Sequence, residues 1–197
     1  MRASTRARTT KETSIEISLD LDGSGSVGVS TGLPFFDHML SQIGKHSGFD
    51  LRVHATGDLE IDAHHTVEDT GILFGAALRD ALGDKSGIRR FASIRVPLDE
   101  AAVECILDLS GRPYLVYDIE PPGEKILSDP PFDPQLMEEF WRAMATAAGV
   151  TLHLTMIRGK NTHHVIEASC KAVARALRDA SRVDDPSGAI PSTKGTL

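Results

Sequence analysis

His64-His65-Thr66-Val67-Glu68 and its echo, His163-His164-Val165-Ile166-Glu167, both read His-His-x-x-Glu, and each opens a run with helical periodicity. On a helix the first histidine and the glutamate share a face one turn apart, because residues i and i+4 are neighbours. The second histidine points about 100° round the axis, from the turn of 3.6 residues. One such helix offers a His/Glu pair to one metal and a single His to another. Two copies supply enough nitrogen and oxygen donors for two mixed sites.

The motifs lie 99 residues apart, and the offset extends past them. It aligns His54 with His153, Thr56 with Thr155, and Ala77-Leu78-Arg79-Asp80-Ala81 with Ala176-Leu177-Arg178-Asp179-Ala180. A repeat in register over that length marks a duplicated supersecondary unit. Upstream, a helix-like run precedes a strand-like run in each copy: residues 34–44 before 49–55, and 132–148 before 150–157. A gapped alignment there sets His38 near Glu139.

A chain of 197 residues fits one domain, or two fused half-domains, around a substantial core. With 41% hydrophobic and 25% charged residues it has the composition of a packed globule, not a disordered segment. The net charge of −7 argues against a general nucleic-acid binder but leaves room for a local cationic pocket. Cys105 and Cys170 have no Cys-x-x-Cys spacing and read as interior thiols. No apolar run approaches the ~20 residues of a membrane span. The basic start, Met1-Arg2-Ala3-Ser4-Thr5-Arg6-Ala7-Arg8, is not followed by the apolar core of a secretory signal. A cytoplasmic enzyme without nucleic-acid or membrane partners is expected.

In chain order, residues 1–10 are polar and read as loose. Ile15, Ile17, Leu19 and Leu21 alternate as in a half-buried strand, and Asp22-Gly23-Ser24-Gly25-Ser26 predicts a hairpin into Val27 and Val29. Glu12, just ahead, reads alone as a solvated charge. Pro34 suits a first helical turn, with Phe35, Phe36, Met39, Leu40 and Ile43 as the apolar face and His38 and Gln42 four residues apart. Leu51 and Val53 predict a strand before the first motif, whose helix should stop at Gly83. Strand-like runs follow at 91–96, 101–109 and 114–119. The turn Ser110-Gly111-Arg112-Pro113 predicts a hairpin tip carrying Arg112. Arg89, Arg90 and Arg112 read either as surface charges or as guanidinium forks for a phosphate. A proline-rich connection, 121–134, leads to the second unit, in which Lys171 falls one turn after Glu167. The tail Pro191-Ser192-Thr193-Lys194-Gly195-Thr196-Leu197 lacks periodicity and alone reads as a frayed end.

One His-His-x-x-Glu could be a hydrogen-bonded polar core; two in register are what a Mn, Fe, Co or Zn site of mixed donors requires. The absence of thiolate leans away from structural zinc. Asp58, Glu60, Asp62 and Asp69 flank the first motif and are candidates to orient its ligands. A di-iron carboxylate bundle would show Glu-x-x-His on long helices, the reverse order from that seen here. A metal-storage or metal-assembled protein would need the ligands but not Glu12, Lys171 or the cationic set.

Phe35-Phe36-Asp37-His38-Met39, Asp62-Ala63-His64-His65-Thr66-Val67-Glu68-Asp69, Asp108-Leu109-Ser110-Gly111-Arg112-Pro113, Asn161-Thr162-His163-His164 and Pro191-Ser192-Thr193-Lys194-Gly195 together resemble the imidazoleglycerol-phosphate dehydratase family of histidine biosynthesis. The resemblance covers nearly the whole chain, in order. It implies an α+β fold of two duplicated β-sheet/α-helix halves (ribosomal protein S5 domain 2-like), with helices packed on the sheets. It implies one catalytic domain, residues 1–197, with halves at about 10–96 and 97–182 and a functional tail, 183–197. The homo-oligomer implied is a shell of 24 subunits with the active sites at subunit interfaces.

The resemblance also implies two Mn²⁺ per active site, though other divalent transition metals would suit the donors. One ion would take His38, His64, Glu68 and His164; the other would take His65, His163, Glu167 and the residue at position 139. Many members carry histidine where Glu139 stands, and whether Glu139 binds directly or His153 compensates is open. The reaction implied removes water from imidazole-glycerol phosphate to give imidazole-acetol phosphate, with no redox change. Glu12 and Lys171 match the acid/base positions and contact substrate. Arg90, Arg112, Ser192 and Lys194 match the phosphate-binding positions, and Gln42 lies in a substrate-contacting segment. Under this resemblance Glu12 is no idle surface charge, and the tail is a clamp.

Overall fold

The structure, a computed structural model, describes residues 2–197, and its two halves repeat one order of elements. The first half runs β1 (Ala3–Thr9), β2 (Thr13–Asp20), β3 (Val27–Ser30), α1 (Pro34–Ser47), β4 (Asp50–Gly57) and α2 (His64–Leu82). The second runs β5 (Phe91–Leu98), β6 (Ala101–Asp108), β7 (Tyr114–Asp118), α3 (Leu136–Ala148), β8 (Thr151–Arg158) and α4 (Thr162–Ser181). The sheets have matching strand orders, β1-β2-β4-β3 and β5-β6-β8-β7. The duplication seen in the motifs therefore extends to topology. All of β5 belongs to the second sheet, and β1 brings residues before position 10 into the first.

Neither expected hairpin forms. β3 pairs parallel with β4, and β7 parallel with β8, so each turn carries the chain across a strand that arrives later. Parallel neighbours need a crossover, and α1 and α3 provide it. The start of the later strand anchors the loop in both halves. Asp50 accepts the backbone N–H groups of Ser24 and Ser26, each at 2.8 Å. The Thr151 hydroxyl donates to the Arg112 carbonyl at 3.0 Å, so Arg112 rides on a crossing loop, not on a hairpin tip.

Residues 3–9 are not loose: they form an edge strand antiparallel to β2. Met1 lies outside the described residues. The segment has no apolar alternation to reveal it, and arginines tie it down instead. Arg6 pairs with Asp80 and Arg8 with Asp69, both on α2.

Ile15, Ile17 and Leu19 of β2, with Leu51, Val53 and Ala55 of β4, make one buried sheet face; Val103, Cys105, Leu107, Leu152 and Leu154 make the other. Helices cover both faces and pack on one another across the halves, α2 on α3 and α1 on α4. The α2–α3 approach is close because Gly71 and Gly75 face it, with the Phe140 carbonyl only 2.6 Å from where a Cβ on Gly71 would stand. α1 begins with Pro34 and ends at Gly48 in the left-handed conformation, φ 77°. α2 stops at Gly83, as the sequence suggested. Both cysteines are buried, and among the described residues no helix is long and apolar enough to cross a membrane.

Candidate metal and substrate site

The second motif sits on the first turn of α4 because Asn161 caps it, its side chain accepting the backbone N–H groups of His163 (2.9 Å) and His164 (3.3 Å). His163 and Glu167 then share a face. Glu167 is the hub: its Oε2 lies 3.0 Å from His163 Nε2 and 3.1 Å from His38 Nε2, and its Oε1 lies 2.6 Å from Lys171 Nζ. His38 arrives from α1, which packs on α4, and the edge contact of Phe35 on the His163 ring (centroids 5.1 Å apart) fixes that ring. Burial alone would raise the Glu167 carboxyl, but the bonds to Lys171, His38 and His163 outweigh it and hold it at about 2. It is thus anionic, as a metal ligand must be. One donor atom each from His38, His163 and Glu167 falls within 4.8 Å of the others. Gln42 extends this row along α1, with Nε2 3.4 Å from His38 Nδ1 and Oε1 3.2 Å from His46 Nε2.

The first motif is built alike. Asp62, ninety-nine residues before Asn161, accepts the backbone N–H of His64. His64 Nε2 and Glu68 Oε2 are 3.8 Å apart, one turn from each other. The His65 ring is held at Nδ1 by Asp58 (3.0 Å), and its Nε2 lies 4.0 Å from Glu12. The hydrogen bond that His65 donates to Asp58 is the main cause of the histidine's raised pKa. Glu139 on α3 borders, with Asp62, His64 and Asp133, a cavity of about 470 Å³.

The structure thus distributes the expected ligands. His38, His163 and Glu167 come together; His64 with Glu68, His65 and Glu139 stand around the first motif; and His164 binds Glu100 (2.7 Å). No complete four-ligand set closes within one chain among the described residues. Glu12 meets the first motif and Lys171 the second, with no ion pair between them among the described residues. His153 alternates onto the exposed face of the second sheet, beside Tyr114 (centroids 6.5 Å). Of the flanking acids, Asp58 orients a ring and Asp62 caps a helix. Asp69 instead serves the buried Thr13 hydroxyl and Arg8, and Glu60 is exposed. Sequence reasoning missed Glu100, because nothing local links a turn acid to a histidine 64 residues on. Hydrogen bonds from His164 and from the backbone hold Glu100 at about 2.

A second cavity, of about 590 Å³, is lined by Arg90, Arg112, Ser192 and Lys194 among others. Arg90 sits at φ 74°, a left-handed conformation that costs a non-glycine residue energy. Its guanidinium grips Asp108 with two bonds (2.7 and 3.1 Å) and donates to the Pro191 carbonyl (2.7 Å). The tail is therefore docked over a cationic cavity. Arg112, 3.7 Å from Asp108 and largely exposed, and exposed Lys194 leave their charges available to an anion.

The family model described as imidazoleglycerol-phosphate dehydratase matches residues 31–177. The imidazoleglycerol-phosphate dehydratase of Acetivibrio thermocellus is 56% identical over 191 residues, 97% of this chain and 96% of that protein. That of Roseobacter denitrificans is 53% identical over 198 residues, all of both chains. Among solved structures, the Staphylococcus aureus enzyme superposes with a TM-score of 0.81 at 38% identity, covering 90% of this chain and 97% of that one. The Pyrococcus furiosus enzyme, solved with (S)-C348, gives 0.81 at 34% identity over 98% and 100%. The chain belongs to the imidazoleglycerol-phosphate dehydratase family, hydro-lyases of histidine biosynthesis.

Proposed function

We propose that the chain removes water from imidazole-glycerol phosphate at a site holding two Mn²⁺ and completed by a second copy of the chain, in a 24-subunit shell in the cytoplasm. The observation that carries this reading is the division of the donors: each motif presents half a ligand set outward, and neither half closes by itself. The donors fit the metal, since imidazole nitrogen and carboxylate oxygen without thiolate suit Mn²⁺. One ion would take His38, His64, Glu68 and His164; the other would take His65, His163, Glu167 and Glu139, whose place on the cavity that His64 also lines supports a direct role over His153. When bound, the metals supply positive charge that stabilises an anionic imidazole ring.

The chain's own residues do the rest. Arg90, Arg112, Ser192 and Lys194 hold the phosphate through charge-assisted bonds, and Gln42 contacts the substrate beside His38. Glu12 and Lys171 share the two proton steps: protonation of the hydroxyl departing from the carbon attached to the ring, and removal of the C–H proton from the neighbouring carbinol carbon. The electron pair of the broken C–H bond becomes the new double bond, water leaves, and the resulting enol tautomerises to the ketone.

Complementation tests the shared site. Glu12→Gln and Lys171→Met chains are each expected to be inactive alone. Co-expressed in mixed oligomers, they should recover about a quarter of wild-type activity, the random share of sites pairing two intact halves. Mixed oligomers that stay inactive, or a monomer that is fully active, would contradict the reading.

A further inference from the structure

We infer that Glu100 is a positioning residue of the metal site: its carboxylate holds the His164 ring by Nδ1 and presents Nε2 to a divalent cation. The inference rests on the reading of His164 as a ligand.

Glu100 stands in the tight turn between β5 and β6, next to Asp99, whose φ of 47° lies in the left-handed region. Three donors converge on its side chain. Oε2 accepts from His164 Nδ1 at 2.7 Å, and Oε1 accepts the backbone N–H groups of Lys160 at 3.0 Å and Asn161 at 2.8 Å. Asn161 in turn caps α4 at the second motif. One carboxylate thus fixes both the loop that starts the helix and the ring on its first turn.

An imidazole that donates its Nδ1 proton keeps a lone pair on Nε2, which is the tautomer a metal needs. The nearest acid to that nitrogen, Asp99, is 3.8 Å away, beyond hydrogen-bond range. The first motif solves the same problem from elsewhere in the chain. His65 is held at Nδ1 by Asp58, but the residue ninety-nine positions after Asp58 is Ile157. The second half has no acid at the repeated position and draws an equivalent one from another turn. A carboxylate on Nδ1 of both second histidines, from unrelated positions, points to a demand of the site, not to an accident of one loop.

Glu100→Gln separates this role from loop fixing. The amide oxygen can still accept both backbone N–H groups, but the amide nitrogen cannot accept from Nδ1. Metal-stripped oligomer would be titrated calorimetrically with Mn²⁺, and the His164 tautomer read by ¹⁵N NMR of the metal-free protein. Expected are a 10- to 100-fold loss of Mn²⁺ affinity, a loss of the Nδ1–H tautomer, and an unshifted thermal midpoint without metal. Glu100→Asp, which keeps the charge, should bind Mn²⁺ more tightly than Glu100→Gln. Unchanged affinity in Glu100→Gln, or equal losses in both variants, overturns the inference. His164→Gln isolates the reading beneath it: lost affinity there with none in Glu100→Gln removes only the role of Glu100. Full affinity in His164→Gln removes the ligand assignment as well.

Discussion

Replacing Gly71 and Gly75 with alanine should separate α2 from α3 and loosen the first motif. A Cβ on Gly71 would stand 2.6 Å from the Phe140 carbonyl oxygen and 3.0 Å from Ala143 Cβ. One on Gly75 would press on the Met144 carbonyl and stand 2.8 Å from Ala147 Cβ. The obstacles include backbone atoms, which cannot swing aside as a side-chain tip can, so the helices themselves must part. Overpacking of this kind costs about 1–3 kcal/mol, and alanine's better helix propensity returns about 1 kcal/mol. Each variant should therefore lose about 1 kcal/mol and the double variant about 2, roughly a thirtyfold drop in the folding constant. Urea unfolding of metal-free protein would show this as a lower midpoint at unchanged slope. Because α2 carries His64 and α3 carries Glu139, Mn²⁺ affinity should fall in the same variants. A double variant as stable as the wild type, or more so, would refute this account of the close approach.

Lys171→Met keeps bulk beside Glu167 but removes the ammonium; turnover should drop ~10²- to 10⁴-fold while Mn²⁺ is retained, and an unchanged kcat would remove Lys171 from the chemistry. The bond from Arg6, with that from Ser4, holds the Asp80 carboxyl below the usual range. A depressed carboxyl adds stability that is present above the unfolded pKa and lost as pH falls through the folded one. Asp80→Asn should thus be less stable than wild type at neutrality, with the gap in thermal midpoint closing in acid; a gap independent of pH would contradict this. Burial raises the Cys105 thiol and pushes Cys170 up to about 12. A thiol reagent should leave the native chain unmodified and titrate both cysteines after unfolding, whereas rapid native reaction would contradict their burial.

The sequence made the helices and the local placing of the motif side chains legible where a residue's own neighbours decide. Pro34 and Gly83 mark helix ends, and the i, i+4 relation puts His163 and Glu167 on one face. It misled where a partner far along the chain decides. Asp22–Ser26 turns the chain but hands β3 to β4, because Asp50 holds the loop and α1 must cross over. The strand Ala3–Thr9 has no apolar pattern, being an edge held by arginines to α2. Glu100 was invisible for the same reason: its role exists only once the β5–β6 turn meets α4. The division of the candidate ligands between two motif clusters was likewise a matter of packing, since spacing along the chain does not say which helices meet.

As proposed, the dehydratase holds Mn²⁺ with ligands gathered from two chains. The most direct test is an assay of imidazole-glycerol phosphate conversion by metal-stripped protein, with and without added Mn²⁺. Activity should appear only with Mn²⁺ and be lost again on chelation. Full turnover by the stripped protein, or no binding of Mn²⁺ at all, would contradict it.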